Sequence, residues 1–195
     1  MKSSFRKGSL LFALLFILVS CVGTQIPETP DEAKLKIRVE KNPNNDTWRI
    51  YTPSYPVGEG HTYLIEGIID GQEISDIKVY YSMAPLKGQG IFSLSFDLVV
   101  DDNDFKPLSF TREYKTKNNP ATYTIFHWED LSINITREYL EKHREKPIQI
   151  KLYGNNKFVI GYEAGSKRLV FEVNIPPQIV VGFLMAFDEH LATQK

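Results

Sequence analysis

The alternation of apolar and polar side chains is what most limits the folds open to this chain. Ile77, Val79, Tyr81 and Met83 point one way, while Asp76 and Lys78 point the other. Phe92, Leu94, Phe96, Leu98 and Val100 oppose Ser93, Ser95 and Asp97. Leu169, Phe171, Val173 and Ile175 oppose Arg168, Glu172 and Asn174, and Leu35, Ile37 and Val39 alternate with Lys36, Arg38 and Glu40. A period of two makes a strand with one buried and one wet face, the habit of antiparallel sheets. Residues 47–51, 62–69, 122–128, 148–153 and 157–162 supply further strands.

Turn-forming residues separate these runs. They cluster at Asn42, Pro43 and Asn44, at Asp70 and Gly71, and at Asn118, Asn119 and Pro120. Others are Gly154, Asn155 and Asn156, and Ala164, Gly165 and Ser166. Short strands with regular turns predict a mainly β chain folded as an antiparallel β-sandwich over residues 34–195. Two helices interrupt it. Thr136 can cap a short one through Tyr139, Leu140 and His143, ended by Pro147. The second starts at Pro176 and Pro177 and carries Ile179, Val180, Phe183, Leu184, Phe187 and Leu191 at helical spacing. Val181, Met185 and Ala186 widen its apolar surface beyond one stripe, which predicts a helix packed into the domain.

The first 20 residues are of another kind. Lys2, Arg6 and Lys7 precede an uncharged apolar run from Leu10 to Val19. A basic head and a short apolar middle describe a secretory signal peptide. The run is about half the ~20 residues a membrane-spanning helix needs. Leu18, Val19, Ser20 and Cys21 follow, and they resemble the lipobox of bacterial lipoprotein precursors. The resemblance implies cleavage before Cys21, a diacylglyceryl group on its thiol and acylation of the freed amine, palmitate-type chains that tether the protein to a membrane. Val22 stands where an aspartate would resemble an inner-membrane retention signal, which favours the outer membrane of the cell envelope. Residues 21–33 then read as a lipidated N-terminus and flexible tether, with Pro27 and Pro30 among small polar residues. The close of the chain, from Val173 through Pro176 and Pro177 to Leu184, looks like that of some uncharacterised β-rich bacterial lipoproteins and implies no activity.

Cys21 is the only cysteine, so the mature domain has no disulfide and no thiolate chemistry. The whole chain has a formal charge of −1, and the leader holds three cations and no acid, so the mature part carries −4. That argues against a nucleic-acid partner, which calls for a basic footprint.

No cofactor site is expected. The four histidines, His61, His127, His143 and His190, show no metal-ligand spacing. His143 and His190 fall on charged helical stretches and are expected to be solvated. Asp101, Asp102, Asn103 and Asp104 match a calcium loop in composition only, lacking its glycine and closing glutamate. His127, Trp128, Glu129 and Asp130 form the densest group of functional side chains, but neighbours on a strand point to opposite faces. Trp48, Tyr51 and Tyr55, beside Pro53 and Pro56, are the expected binding surface, since aromatic faces on loops stack sugars or peptides. The reading is therefore a lipid-anchored envelope protein that is not an enzyme and that binds or supports an envelope protein or a glycan. A hydrolase using residues 127–130 and a carrier of a small apolar ligand are the alternatives.

Overall fold

The computed structural model describes residues 24–58, 60–83 and 90–194. The chain is mainly β, as its alternation predicts. Helix α1 (Pro30–Lys36) precedes strands β1 (Arg38–Lys41), β2 (Trp48–Tyr51), β3 (Tyr55–Gly58), β4 (His61–Asp70) and β5 (Glu73–Ser82). Then come β6 (Gly90–Asp101), β7 (Lys106–Pro107), β8 (Phe110–Asn119) and β9 (Thr124–Ile135). Helix α2 (Arg137–Lys142), the long hairpin β10 (Ile148–Ile160) and β11 (Glu163–Ile175), and helix α3 (Pro177–Thr193) complete it.

The expected sandwich of two separate sheets is not what the ladders describe. All 11 strands join one mixed sheet in the order β1-β2-β4-β5-β9-β6-β10-β11, with β3 on β4, β7 on β6 and β8 on β9. The reason lies in β9. Strand β8 covers one of its edges from Thr124 to Ile133. The other edge is shared. Strand β5 pairs antiparallel with Leu131–Ile135, and β6 pairs parallel with Thr124–His127. Two strands on one edge cannot both continue, so the sheet forks there and its halves face each other. Tyr81 of β5 meets Phe96 of β6 edge-on at 5.9 Å, and His61 of β4 lies 5.0 Å from Phe171 of β11. One core fills the space between.

The alternation also changes phase once. Leu98 pairs Tyr153 while Phe96 pairs Gly154, so Asp97 is an extra residue in β6. This bulge turns Val99 inward to full burial and leaves Leu98 37% exposed, reversing the expected facing of Leu98 and Val100. Arg168 pairs with Asp97 across the bulge and holds its carboxyl below the usual range.

Two expected turns are strand interior. Residues 154–156 and 164–166 lie within a ladder of 13 paired residues, Ile148↔Ile175 to Ile160↔Glu163. The turn falls instead at Gly161 and Tyr162, with Gly161 at φ +59, where glycine sits in a type II′ hairpin. Strand β8 gives no alternation signal because Thr111, Arg112, Glu113 and Tyr114 are all exposed; its ladder to β9 alone makes it a strand.

Helix α3 is packed, as its width predicts. Ile179, Val180, Phe183, Leu184 and Phe187 are fully buried. The buried arc extends further because α1 docks beside it, which the sequence reading missed. Thr29 caps α1 by accepting the Glu32 N–H, and Pro30 fits its first turn. Ala33 is fully buried against Gly182. Pro27 O accepts from Gln178 Nε2 at 3.1 Å, and Lys34 pairs with Glu189 at 2.8 Å. The tether expected over residues 21–33 is thus docked from Pro27 onward, and the strand expected at Leu35 begins at Arg38.

Gly182 is required by this crossing. A Cβ there would lie 2.5 Å from the Ala33 Cβ and 2.8 Å from Pro30 O. In an isolated helix, Gly→Ala would stabilise by up to ~1 kcal/mol. Here Gly182→Ala is expected to destabilise by about 1–3 kcal/mol through overpacking, read as a lowered urea midpoint.

Candidate functional site

The group at residues 127–130 stands at the fork, and its acids hold the fork together. Strand β6 leaves β9 after Ser93 and β5 ends at Ser82. Trp128, Glu129 and Asp130 face that gap with no strand on that edge, while β8 pairs their other edge. The Phe96 N–H, which β9 can no longer reach with its backbone, donates to Glu129 Oε2 at 2.8 Å. Ser82 Oγ and Trp128 Nε1 both donate to Asp130 Oδ1 at 3.0 Å. Glu129 is fully buried beneath β8, with Arg112 Nε 4.0 Å from its Oε2. Hydrogen bonding to Glu129, together with its charge, raises the Tyr114 phenol above its usual pKa. His127 lies on the same face as Glu129 but bonds Thr116 Oγ1 through Nδ1 at 2.9 Å. The four residues are therefore not brought together as base and acids. Glu129→Ala strands the buried Phe96 N–H and is expected to cost about 1–3 kcal/mol. Glu129→Gln keeps an acceptor and is expected to cost less, compared by urea denaturation.

The expected aromatic surface is not assembled. Tyr55 is fully buried beside Tyr63, their rings 5.7 Å apart, and burial pushes its phenol up to about 12. Tyr51 donates to Glu40 at 2.6 Å on the outer face. Trp48, on the opposite face of β2, packs on His190 at 4.7 Å. The strand expected over residues 47–51 is β2, β3 forms where a loop was expected, and strand alternation separates the three rings. Cys21 lies outside the described residues.

The acidic run is spent on ion pairs. Asp102 pairs with Lys151 at 2.9 Å, Asp104 pairs with Lys142, and Asp101 Oδ1 accepts the Asn103 N–H at 2.9 Å. Among the described residues, no group of three or more His, Cys, Asp or Glu could hold a metal ion.

Neither helical histidine is solvated as expected. His143 is fully buried, bonding Tyr139 O through Nδ1 at 2.7 Å. His190 is half-buried, and desolvation lowers its pKa from the ordinary value near 6.5. The fold thus resists a proton that the unfolded chain accepts. Stability should be unaffected by His190 well above pH 6.5 and fall as pH drops below it. A thermal melt of His190→Gln should lose less between pH 7 and pH 5 than the unaltered chain.

What the structure does assemble lies at the far end of the sheet. Ile91 pairs Ile125 on one side and Val159 on the other, so the three form a row on the outer face. All three are exposed, as are Ile160, Tyr162 and Tyr123. Beside this row is a cleft of about 280 Å³ lined by Asn118, Asn119, Pro120, Tyr123, Thr124 and Ile125. It forms where β8 turns into β9 through a 3₁₀ turn, Pro120–Thr122. Tyr123 closes that turn at φ +51, a conformation that costs a bulky L-residue about 1–3 kcal/mol. The sequence marked Asn118, Asn119 and Pro120 as a turn. It gave no reason to single out the aromatic three residues on, because Tyr123 also fits the strand expected from residue 122.

No protein-family model, curated protein or solved structure matches the chain. Among the described residues no helix is long and apolar enough to cross a membrane.

Proposed function

We propose that this is a lipid-anchored protein of the bacterial cell envelope, held through Cys21 to the outer membrane, which binds or supports an envelope component without catalysis. The observation that carries the reading is the docked N-terminal segment. Pro27 is fixed to the first turn of α3 through Gln178, next to the base of the β10–β11 hairpin. Five residues separate it from Cys21, six Cα steps with a reach of at most about 20 Å. A lipid on Cys21 would therefore hold the base of the domain close to the bilayer. The hairpin, 13 residue pairs long, extends about 40 Å from that base. Its tip lies near the exposed apolar row, which points the unpartnered surface away from the membrane. That Glu129 and Asp130 are occupied in joining strands also favours a binding role over the hydrolase alternative.

The anchor is tested by labelling cells with a palmitate analogue. The unaltered protein should take up label and sediment with membranes, while Cys21→Ser should lose label and appear soluble or uncleaved. Sedimentation of a cleaved Cys21→Ser form with membranes, or absence of label in the unaltered protein, would overturn the anchor.

A second reading, a carrier of a small apolar ligand, has one observation in its favour. A cleft of about 200 Å³ lies where β3 and β4 meet β11, lined by residues including His61, Tyr81, Val170 and Phe171. An apolar ligand retained in native mass spectra of protein purified from its own membranes would favour it.

A further inference from the structure

The fold does not account for Tyr123. Its N–H donates to Pro120 O at 3.4 Å, and its carbonyl accepts the Gly90 N–H at 3.2 Å. The backbone is pinned on both sides in a left-handed conformation that glycine adopts without strain. The side chain gives nothing back to the core, since Tyr123 is 84% exposed. A strained residue whose ring serves no packing is a reason to look at what the ring faces.

The ring borders the cleft at the β8–β9 turn, and the other walls have a consistent chemistry. Asn118 is exposed and pairs Ile125, so it shares a face with that residue. Its side-chain amide offers two donors and one acceptor at the cleft. Pro120 and Ile125 add apolar surface, and among the described residues no charged side chain lines the cleft. The missing charge argues against nucleic acid or an anionic headgroup, which would call for Lys or Arg. Its volume is at the small end for ligand sites, so a large folded partner does not fit it. The remaining combination is an exposed aromatic face beside a neutral amide. It matches a molecule with an apolar C–H face on one side and a rim of hydroxyls.

We infer that this cleft binds a neutral saccharide, with Tyr123 as the stacking platform and Asn118 as a hydrogen-bonding partner for its hydroxyls. The inference deepens the envelope-binding reading and rests on it, naming a glycan as the component bound. It also moves the binding surface from Trp48, Tyr51 and Tyr55 to the β8–β9 turn. The site would sit on the part of the domain farthest from the anchor, on a continuous platform with Ile91 and Val159.

The test uses the intact lipidated protein in a detergent without a sugar headgroup, titrated calorimetrically with chitotetraose, cellotetraose and maltotetraose. Binding of at least one is expected. Tyr123→Gly should weaken it at least tenfold while leaving the thermal midpoint unchanged or raised, because glycine relieves the backbone. Asn118→Ala should weaken it too, and Tyr123→Trp should retain it. Absence of binding by all three probes would overturn the inference. So would undiminished binding by Tyr123→Gly, or a lowered midpoint in that variant, which would give the tyrosine a packing role. Failure here is separable from failure of the anchor, because lipid labelling at Cys21 is read independently of any sugar.

Discussion

The hydrogen bond from the Phe96 N–H to the Glu129 carboxylate is the interaction on which the architecture turns. A sheet strand gives up backbone bonds when it leaves its neighbour, and a buried N–H without an acceptor costs about 1–3 kcal/mol. Strand β6 leaves β9 inside the core, where water cannot supply the acceptor. Glu129 reaches across the gap and does so with a charged oxygen, which makes the stronger kind of bond. Asp130 does the corresponding service for the end of β5. With both ends held, β5 and β6 can diverge from one edge of β9, and the two halves of the sheet can close over Tyr81, Phe96 and Phe171.

The closed end and the helical end of the core are built differently. Tyr55, Tyr63 and Tyr81 occupy one register row across β3, β4 and β5, all facing inward. Burial raises all three phenols, so they stay neutral across the physiological range. Tyr81 and His61 share a hydrogen bond at the seam with β11. The helical end carries aliphatic and phenylalanine side chains from α3, and at its rim Arg137 pairs with Asp188 and lies over the Phe187 ring.

The sequence reading succeeded where a periodic pattern met a buried face. The inward rows of β5 and β11 and the wide apolar face of α3 were legible for that reason. It failed where backbone geometry overrode the pattern. One extra residue at Asp97 reverses every side chain after it, and nothing in the alternation of Leu98 and Val100 signals a bulge. The Gly-Asn-Asn and Ala-Gly-Ser stretches are turn-like in composition, yet a long exposed hairpin tolerates them, with the Phe158 ring lying over Gly165. Strand β8 has no buried face to advertise. The candidate site was less legible still. Aromatic residues read as a loop cluster were split by β2 and β3, and Tyr123 stood inside an expected strand. Its left-handed backbone depends on a 3₁₀ turn and on Gly90, 33 positions away in the chain.

The docking of α1 on α3 joins the first described helix to the last, and this has a mechanical meaning. Tension applied at the N-terminus reaches Pro27, Ala33 and Lys34 before it reaches any strand. Those contacts belong to two helices and include no ladder bond of the sheet. Unpeeling α1 would release about ten further residues of slack, roughly 30 Å of chain, before the load came onto β1. Load entering from the N-terminus therefore falls on the crossing at Gly182 before it reaches the sheet.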